Sequence, residues 1–255
     1  MENSIYFQEK NFSKYLNKDI YYGFFTKNGG ISKRNFCSLN CCFKGGDLKT
    51  NVNSNRKIVC DKMGFKASDL ITLNQVHSTN IIEISKNNLK KENLADGMIS
   101  SEKNILLGVL TADCAPLIFS GKESIAILHV GWKGLLNGII DNLIEKFSKK
   151  NENIFDLSCV IGPHLKMESF HVTQDFVDNL MMYNPVLQKF VRNNNNVLKF
   201  DFTNCIVHNL KRLGMSKISI IEKDTYTNPK LLFSYRFYKN SGKECGRQIS
   251  VIGKR

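Results

Sequence analysis

The sequence has no apolar segment long enough to cross a membrane. No window reaches the roughly 18 uninterrupted apolar residues that a transmembrane helix needs. The opening residues, MENSIYFQEK, lack the basic and apolar regions of a secretory signal. We therefore expect a cytoplasmic protein that does not work at a membrane.

Cysteine pairs of the CxxC type are absent as well. Such pairs, or regularly spaced cysteines in a short secreted chain, would indicate a metal site or a disulfide framework. We expect the cysteines of this chain to be reduced and, except for Cys114, to be buried as small apolar side chains. The eight cysteines are scattered along the chain: Cys37, Cys41, Cys42, Cys60, Cys114, Cys159, Cys205 and Cys245.

No recognised nucleic-acid-binding motif accompanies the formal net charge of +13. Lysine is spread along the sequence beside many asparagines, as in Asn193–Asn196. This distribution is as typical of a lysine- and asparagine-rich coding bias as of a binding stripe. We interpret the charge as a solvated basic surface that attracts phosphate-bearing small molecules, and we keep a non-catalytic basic binding module as an alternative.

Neither a tandem repeat nor a linker rich in proline, glycine or serine divides the chain. Apolar residues make up 42% of the 255 residues, which is enough for a globular interior. We predict a single α/β domain over residues 1–255, with strands running in mixed directions.

Hydrophobic periodicity predicts alternating strands and helices. Helices are expected at about 51–64, 135–148, 174–183 and 202–213. A further short strand is expected to open at Asp96-Gly97. The other predicted strands are Ile5–Phe7, Tyr21–Thr26, Ile71–Val76, Ile81–Ser85, Ile105–Leu110, Pro116–Phe119, Ile125–Val130, Leu157–Ile161, Ile218–Glu222, Leu231–Tyr235 and Gln248–Ile252.

Three side chains that can bind a metal lie at the ends of predicted strands. Ile105–Leu110 runs into Cys114, Ile125–Val130 contains His129, and His77 follows Ile71–Val76. Side chains at the ends of buried strands are held at the rim of a sheet, where α/β proteins commonly have their sites. Thiolate and imidazole suit zinc or copper, and three protein ligands leave a fourth position open for water or substrate.

The spacing of these residues does not by itself decide whether they share a metal. Cys114 follows His77 by 37 residues and His129 follows Cys114 by 15, which matches no zinc-finger pattern. Asp113 is a candidate supporting or acid/base carboxylate, and equally a helix or turn cap. We expect His164 and His171 to be ordinary, partly exposed side chains and His208 to be structural.

Motifs across nearly the whole chain resemble the laccase-domain family, whose members were once called multicopper polyphenol oxidases and are now assigned as purine nucleoside phosphorylases. The matching segments are Gly23–Gly30 (GFFTKNGG), Ser38–Asn40 (SLN), Asn55-Arg56, Asn74–His77 (NQVH), Ala95–Gly97 (ADG), Thr111–Pro116 (TADCAP), His129–Gly134 (HVGWKG), Ile161–Pro163 (IGP), Phe233–Arg236 (FSYR) and Gly246–Gln248 (GRQ).

The resemblance implies a layered α/β/β/α sandwich and a metal-dependent enzyme. The implied activity is phosphorolysis of adenosine, inosine and methylthioadenosine, with adenosine deamination at the same site. His77, Cys114 and His129 would bind the catalytic metal, zinc with copper as the alternative, and Asp113 would join them in catalysis. The candidate contacts to the nucleoside and phosphate are Lys27, Asn40, Arg56, Gln75 and Arg236.

Three positions depart from the family pattern. Lys27 replaces the arginine of a TRxGG motif, Lys133 replaces that of GWRG, and Phe237 replaces the second arginine of SYRR. Positive charge is kept at two of these positions, but the guanidinium geometry that grips phosphate is lost.

Two other enzyme classes remain alternatives to phosphorolysis. A cysteine hydrolase would use Cys114 as nucleophile and His77 or His129 as base, with Asp113 or Asn40 as the orienting group. A copper-dependent polyphenol oxidase would need several copper sites, which five histidines make hard to supply. The sequence predicts no oligomeric state.

Overall fold

Two mixed β-sheets stacked face to face form the centre of the fold. The structure is a computed structural model and describes residues 4–85, 94–239, 242 and 244–255. The strands are β1 Tyr6–Phe7, β2 Ile20–Phe25, β3 Leu70–Thr72, β4 Ile81–Glu83, β5 Gly97–Ser100, β6 Ile105–Thr111, β7 Ala115–Ser120, β8 Ile125–Val130, β9 Ser158–Ile161, β10 Val191–Asn194, β11 Val197–Phe200, β12 Lys217–Ile220 and β13 Gln248–Lys254. The helices are α1 Lys10–Ser13, α2 Lys49–Met63, α3 Trp132–Leu136, α4 Ile139–Lys149, α5 Gln174–Tyr183, α6 Phe202–Arg212 and α7 Tyr235–Lys239.

Both large sheets mix parallel and antiparallel pairing, as the sequence predicts. The five-stranded sheet has the order β1-β2-β13-β6-β3, in which only β3 and β6 pair in parallel. The six-stranded sheet has the order β12-β9-β7-β8-β5-β4, with parallel pairs at its two edges. Strands β10 and β11 form a separate hairpin.

Alternate residues of the strands face different layers. Ile118 and Ile127 face the gap between the sheets, whereas Phe119 and Leu128 face α4 and α6. On the far side of the five-stranded sheet, Leu106 packs in one cluster with residues of α2. The order of layers is therefore α/β/β/α, which confirms the predicted fold class.

Two predicted elements take a different form in the structure. The helix expected at 135–148 is two helices, because Gly138 adopts a left-handed conformation (φ 86°) between α3 and α4. The prediction of a strand at Leu231–Tyr235 is wrong. The side-chain amide of Gln248 bonds both backbone groups of Phe233, and α7 begins two residues later.

The β10–β11 hairpin and α1 have no counterpart among the predicted elements. The hairpin turns at Asn195 and Asn196, which both have positive φ, as a two-residue turn of this kind requires. The asparagine run Asn193–Asn196, which we interpret from the sequence as part of a solvated surface, therefore forms the tip of a hairpin.

All eight cysteines are free thiols, as the sequence predicts. The expected burial holds for Cys41, Cys60, Cys159, Cys205 and Cys245, but Cys37 is exposed and Cys42 is half-buried. No helix in the described part of the chain combines the length and apolar character needed to cross a membrane.

His164 is fully buried, so the prediction that it is an ordinary, partly exposed histidine is wrong. Its Nδ1–H donates to the carbonyl of Gly162 at 2.8 Å, and its Nε2 accepts from the Thr203 hydroxyl at 2.8 Å. Burial, aided by the nearby charge of Lys166, lowers the pKa of His164 to about 3. The neutral imidazole is therefore part of the core.

We expect His164 to make the protein less stable in acid. A histidine in the unfolded chain titrates at about 6.5, so between that pH and about pH 3 the unfolded state binds a proton that the folded state does not. The free energy of unfolding should be insensitive to His164 above pH 6.5. It should fall by about 1.4 kcal/mol for each pH unit below that value.

Urea unfolding of the parent and His164→Gln proteins at several pH values tests this expectation. Glutamine keeps a donor and an acceptor but does not titrate. Below pH 6.5, the free energy of unfolding of the variant should therefore fall by about 1.4 kcal/mol less per pH unit than that of the parent. Equal slopes in the parent and His164→Gln would contradict the expectation.

Candidate functional site

The side chains of His77, Cys114 and His129 meet at one end of the gap between the two sheets. Their ligand atoms all lie within 4.8 Å of one another. Cys114 Sγ is 3.7 Å from His77 Nε2, and the two imidazole rings meet edge to face with centroids 4.8 Å apart. The structure thus brings together the three residues that the sequence could not join by spacing.

Two members of the cluster lie in connections between the sheets. His77 lies between β3 and β4, and Cys114 lies between β6 and β7; both connections run from the five-stranded to the six-stranded sheet, and His129 lies in β8 of the six-stranded sheet. His129 continues the row of Ile125 and Ile127 that faces the gap, because alternate residues of a strand share a face.

His129 is held in one orientation by Asp96. The ring is only 4% exposed, and its Nδ1 lies 2.8 Å from Asp96 Oδ1. A carboxylate can only accept, so Nδ1 carries a proton and Nε2 is the ring nitrogen left for a metal. This is the arrangement in which metal-binding histidines are usually found.

Sequence reasoning did not single out Asp96, which holds His129 and the backbone around His77. Asp96 is fully buried just before β5 and accepts hydrogen bonds from the backbone N–H groups of Val76, His77 and Ser78 as well as from His129. The one sequence signal for Asp96 was its place in the Ala95–Gly97 motif, and the resemblance assigned no role to that motif.

Gln75 fixes the segment that carries His77. Its side-chain amide donates to the carbonyl of Leu110 at 2.7 Å and accepts from the Leu110 N–H at 2.8 Å. These bonds tie the chain before His77 to β6, which leads to Cys114. Gln75 also borders the cleft described below, but its amide is engaged by backbone.

Asp113 directs its carboxylate at the start of α7. Oδ1 accepts from the Thr225 hydroxyl and Oδ2 from the Arg236 N–H, each at 2.6 Å. Burial raises the pKa of Asp113 above its ordinary value, although hydrogen bonds from Ser234, Thr225 and Arg236 oppose this. The geometry matches the cap that the sequence offered as one interpretation of Asp113.

The charges of the cluster favour a thiolate. Burial opposes ionisation of Cys114, but the His129 and His77 rings outweigh it and lower the pKa of the thiol to about 6. Burial also opposes a charged His129, yet Cys114 and Asp96 together raise its pKa to about 9. Burial resists the charge on Asp96 as well, and hydrogen bonds from His129 and Ser78 hold its pKa at about 2. The thiolate is the form of cysteine that binds metals and attacks electrophiles.

A large open cleft lies over the cluster. Its volume is about 1690 Å³, above the range of roughly 300–1,000 Å³ typical of small-molecule pockets. The cleft combines basic and aromatic walls, which suit an anionic ligand that carries a planar ring. The basic residues that line it are Lys44, Arg56, Lys133, Arg236, Lys239 and Arg247, and the aromatic ones are Phe43, Trp132, Phe170, Phe202, Tyr226 and Tyr235.

The two predicted arginines, Arg56 and Arg236, line this cleft. Arg56 donates to the Cys41 carbonyl at 2.9 Å and to the Thr72 hydroxyl at 3.1 Å, and its guanidinium lies 4.3 Å from the centre of the Phe43 ring. These contacts fix it against one wall of the cleft.

Arg236 lies against Phe170, with its guanidinium carbon 5.4 Å from the ring centre. Its Nη1 donates to the carbonyls of Ser169 and His171, each at 2.9 Å. Across the described residues, its Nε and Nη2 donate no hydrogen bond. The Arg236 side chain is therefore held in place, and its Nε and Nη2 groups remain available to bind a ligand.

The structure does not bring Lys27 and Asn40 to the cleft. The Lys27 ammonium lies 5.8 Å from the centre of the Phe233 ring, outside the cleft lining. Asn40 is fully buried, where its amide bonds backbone groups of Cys42 and Arg247 and the carboxylate of Asp47. Asn40 therefore holds loops together. Sequence reasoning did not single out Lys44, Lys239 and Arg247, which the fold places in the lining.

A model of the family described as multi-copper polyphenol oxidoreductase laccase matches residues 21–255. The chain belongs to this laccase family. A relative from Rickettsia conorii named purine nucleoside phosphorylase is 31% identical over 224 residues, which are 84% of this chain and 87% of the relative. A Bacillus subtilis relative of the same name is 27% identical over 252 residues, covering 93% and 89% of the two chains.

Two solved structures share this architecture. The crystal structure of a Bacillus licheniformis hypothetical protein superposes with a TM-score of 0.85 at 26% identity, over 92% of this chain and 93% of the other. A Neisseria meningitidis protein superposes with a TM-score of 0.86 at 25% identity, over 98% and 99% of the two chains. The fold and the family assignment therefore agree.

Because Gly131 has no side chain, it leaves room for the side chains of His77 and Cys114. A Cβ at this position would lie 2.9 Å from His77 Cδ2 and 3.5 Å from Cys114 Sγ. Gly131 has a negative φ of −85°, so alanine is allowed by the backbone and acts only through this contact.

We expect Gly131→Ala to displace the His77 ring and weaken zinc binding about tenfold, with little change in thermal stability. Zinc titration against a chromophoric chelator measures the effect. Gly108→Ala is the control, because its Cβ would lie 3.1 Å from side chains of both Ile249 and Leu70, and none of its nearest neighbours belongs to the cluster. If both variants bind zinc as tightly as the parent, Gly131 does not shape the site.

Proposed function

We propose that this protein is a metal-dependent purine nucleoside phosphorylase. It cleaves adenosine, inosine and methylthioadenosine with phosphate and deaminates adenosine as a side activity. The observation that carries the proposal is the convergence of His77, Cys114 and His129 under a basic, aromatic-lined cleft. Relatives named purine nucleoside phosphorylase support it.

The residues of the cluster fit a resident metal ion. One thiolate and two imidazoles form a donor set for zinc, with copper as the alternative. Asp96 engages Nδ1 of His129 and leaves Nε2 as the nitrogen that a metal can bind in place of a proton, and the missing side chain of Gly131 leaves room beside the other two ligands. Zinc held by these residues would supply Lewis acidity at the floor of the cleft.

The cleft walls supply the groups that phosphorolysis requires. Breaking the bond between sugar and purine builds positive charge on the sugar and negative charge on the departing base. Arg236, fixed by two carbonyls, can direct its remaining donors at phosphate. The aromatic rings of Trp132 and Tyr226 offer faces for the purine.

Asp113 is the proposed acid/base group. It lines the cleft next to Cys114, and burial raises its pKa. A carboxyl group that keeps its proton more readily is suited to protonating the departing purine. Its hydrogen bonds to Thr225 and to the Arg236 N–H would hold it in position while it does so.

A cysteine hydrolase is the second candidate, because the cluster also forms a nucleophile, a base and an orienting acid. Cys114 is the nucleophile, His129 the base, and Asp96 bonds the far nitrogen of the base. In this role Asp96 replaces Asp113 and Asn40, whose side-chain hydrogen bonds go to other groups.

The geometry gives little support to a multi-copper oxidase. Within the described residues, His77, Cys114 and His129 are the only group of three or more histidine, cysteine and acidic side chains arranged to share an ion. Several copper sites would need several such groups.

We further propose that residues 1–255 work as one domain in the cytoplasm. Purine nucleosides and phosphate would be its partners, without nucleic acid or membrane. The eight free thiols support the reducing setting.

Product analysis of metal-quantified protein incubated with adenosine, with and without phosphate, tests the proposed function. We expect adenine and ribose-1-phosphate, formed only when phosphate is present. Free ribose would indicate a hydrolase, and inosine alone a deaminase. No turnover by metal-replete protein would make the cysteine hydrolase the preferred candidate, and salt-dependent oligonucleotide binding without turnover would favour a binding module.

A further inference from the structure

We propose that Asp96 is the positioning residue that sets both histidines of the cluster for metal binding. The inference rests on one part of the proposed function, namely that His77, Cys114 and His129 hold the metal. Asp96 acts through these ligands: its carboxylate bonds the ring of one histidine and the backbone of the other.

A single oxygen of Asp96 serves both histidines. Oδ1 accepts from His129 Nδ1–H at 2.8 Å and from the backbone N–H of His77 at 3.1 Å. His129 belongs to the six-stranded sheet, and His77 lies in the segment that runs from β3 of the five-stranded sheet to β4 of the six-stranded sheet. The carboxylate therefore links the two ligands across the junction of the sheets.

The backbone around His77 is shaped to hold this carboxylate. His77 has a left-handed conformation, with φ of 59°, which few residues with a side chain adopt. Such a conformation turns consecutive N–H groups toward one point and makes a concave site for an anion. Here the anion is Asp96, and the N–H groups of Val76, His77 and Ser78 all donate to it.

The other oxygen of Asp96 explains why an amide cannot replace the acid. Oδ2 accepts from three donors: the N–H groups of Val76 and Ser78 and the hydroxyl of Ser78. In Asp96→Asn the amide oxygen must serve these donors, so the amide NH₂ faces His129. His129 Nδ1 must then accept, which moves the ring proton to Nε2 and removes the lone pair that a metal needs.

The test compares zinc affinities of the parent, Asp96→Asn and Asp47→Asn proteins by competition with a chromophoric chelator. We expect Asp96→Asn to bind zinc about 10- to 100-fold more weakly than the parent. Asp47 is the matched control: its carboxylate also organises loops, through Ser32 Oγ at 2.7 Å and Asn40 Nδ2 at 2.9 Å, but contacts no cluster residue. Asp47→Asn should lower stability and leave zinc affinity within about threefold of the parent.

Cobalt(II) spectra separate positioning from general damage. Asp96→Asn should keep the charge-transfer band of the Cys114 thiolate while its ligand-field bands change, because one imidazole is altered and the thiolate is not. Should Asp96→Asn fail to fold, Ser78→Ala serves instead. It removes one hydroxyl bond to the carboxylate and should weaken zinc binding about two- to fivefold.

Each result bears on the inference differently. Equal zinc affinity in the parent and Asp96→Asn, or in the parent and Ser78→Ala when that variant is used, overturns it and leaves the proposed activity intact. Equal weakening by Asp96→Asn and Asp47→Asn also overturns it, because the effect is then general. A parent protein that binds zinc but lacks phosphorolysis refutes the proposed activity and not the role of Asp96. A parent that binds no zinc overturns both the metal site and this inference.

Discussion

Cys114→Ala protein should contain no stoichiometric zinc and should lose phosphorolysis by about 10³-fold in kcat/KM. The thiolate is the only anionic side chain among the three proposed ligands, so its removal leaves two neutral imidazoles to hold the ion. Loss of the ion removes several kcal/mol of electrostatic stabilisation, and about 4 kcal/mol corresponds to 10³-fold in rate.

Elemental analysis and steady-state kinetics on the same preparations measure both effects. Cys37→Ala is the control, because Cys37 is also a free thiol but is exposed and outside the cleft lining. It should retain zinc and activity within about threefold of the parent. Undiminished zinc in Cys114→Ala protein would refute the metal site. Zinc loss with full activity would refute a catalytic role for the ion.

Arg236→Ala should raise the KM for phosphate or lower kcat/KM by roughly 10- to 150-fold, with zinc content unchanged. Charge-assisted hydrogen bonds of a guanidinium to phosphate are worth about 1.5–3 kcal/mol, which corresponds to that range. Arg236→Lys should recover only part of the loss, because an ammonium cannot reproduce the two-pronged guanidinium contact.

Initial rates over a range of phosphate concentrations measure this effect. Arg192→Ala is the matched control: Arg192 also donates from Nη1 to backbone carbonyl oxygen, but it lies on exposed strand β10, outside the cleft lining. It should leave the KM for phosphate unchanged. If Arg236→Ala has the phosphate KM of the parent, another basic residue of the cleft binds the anion.

Sequence reasoning succeeded where the information is local. The alternation that placed Ile125 and Ile127 in a buried strand also placed His129 at its end, and the structure confirms that strand with the same bounds. The layered fold followed from the resemblance and is confirmed. What spacing could not show was the meeting of His77, Cys114 and His129, because two of them lie in connections between the sheets and the third in a strand.

Sequence reasoning failed where a side chain acts on distant backbone. Asp96 bonds residues 76–78, which lie 18 to 20 positions before it, and His129, which lies 33 positions after it. Gln248 likewise takes the backbone bonds that a strand at Leu231–Tyr235 would have needed. A polar side chain that hydrogen-bonds to backbone groups of a distant segment produces no periodic pattern in the sequence. The roles of Asp96 and Gln248 therefore could not be predicted.

The position of the cluster at the junction of the two sheets has a mechanical consequence. An ion held by these residues would join His129, in a strand of the six-stranded sheet, to the two connections between the sheets that carry His77 and Cys114. Separating the two sheets during unfolding would require breaking bonds between the ion and its ligands. Free zinc at about 100 times its dissociation constant would add about 2.7 kcal/mol to the free energy of unfolding. Metal supply would then change the stability of the fold as well as whether the protein can react.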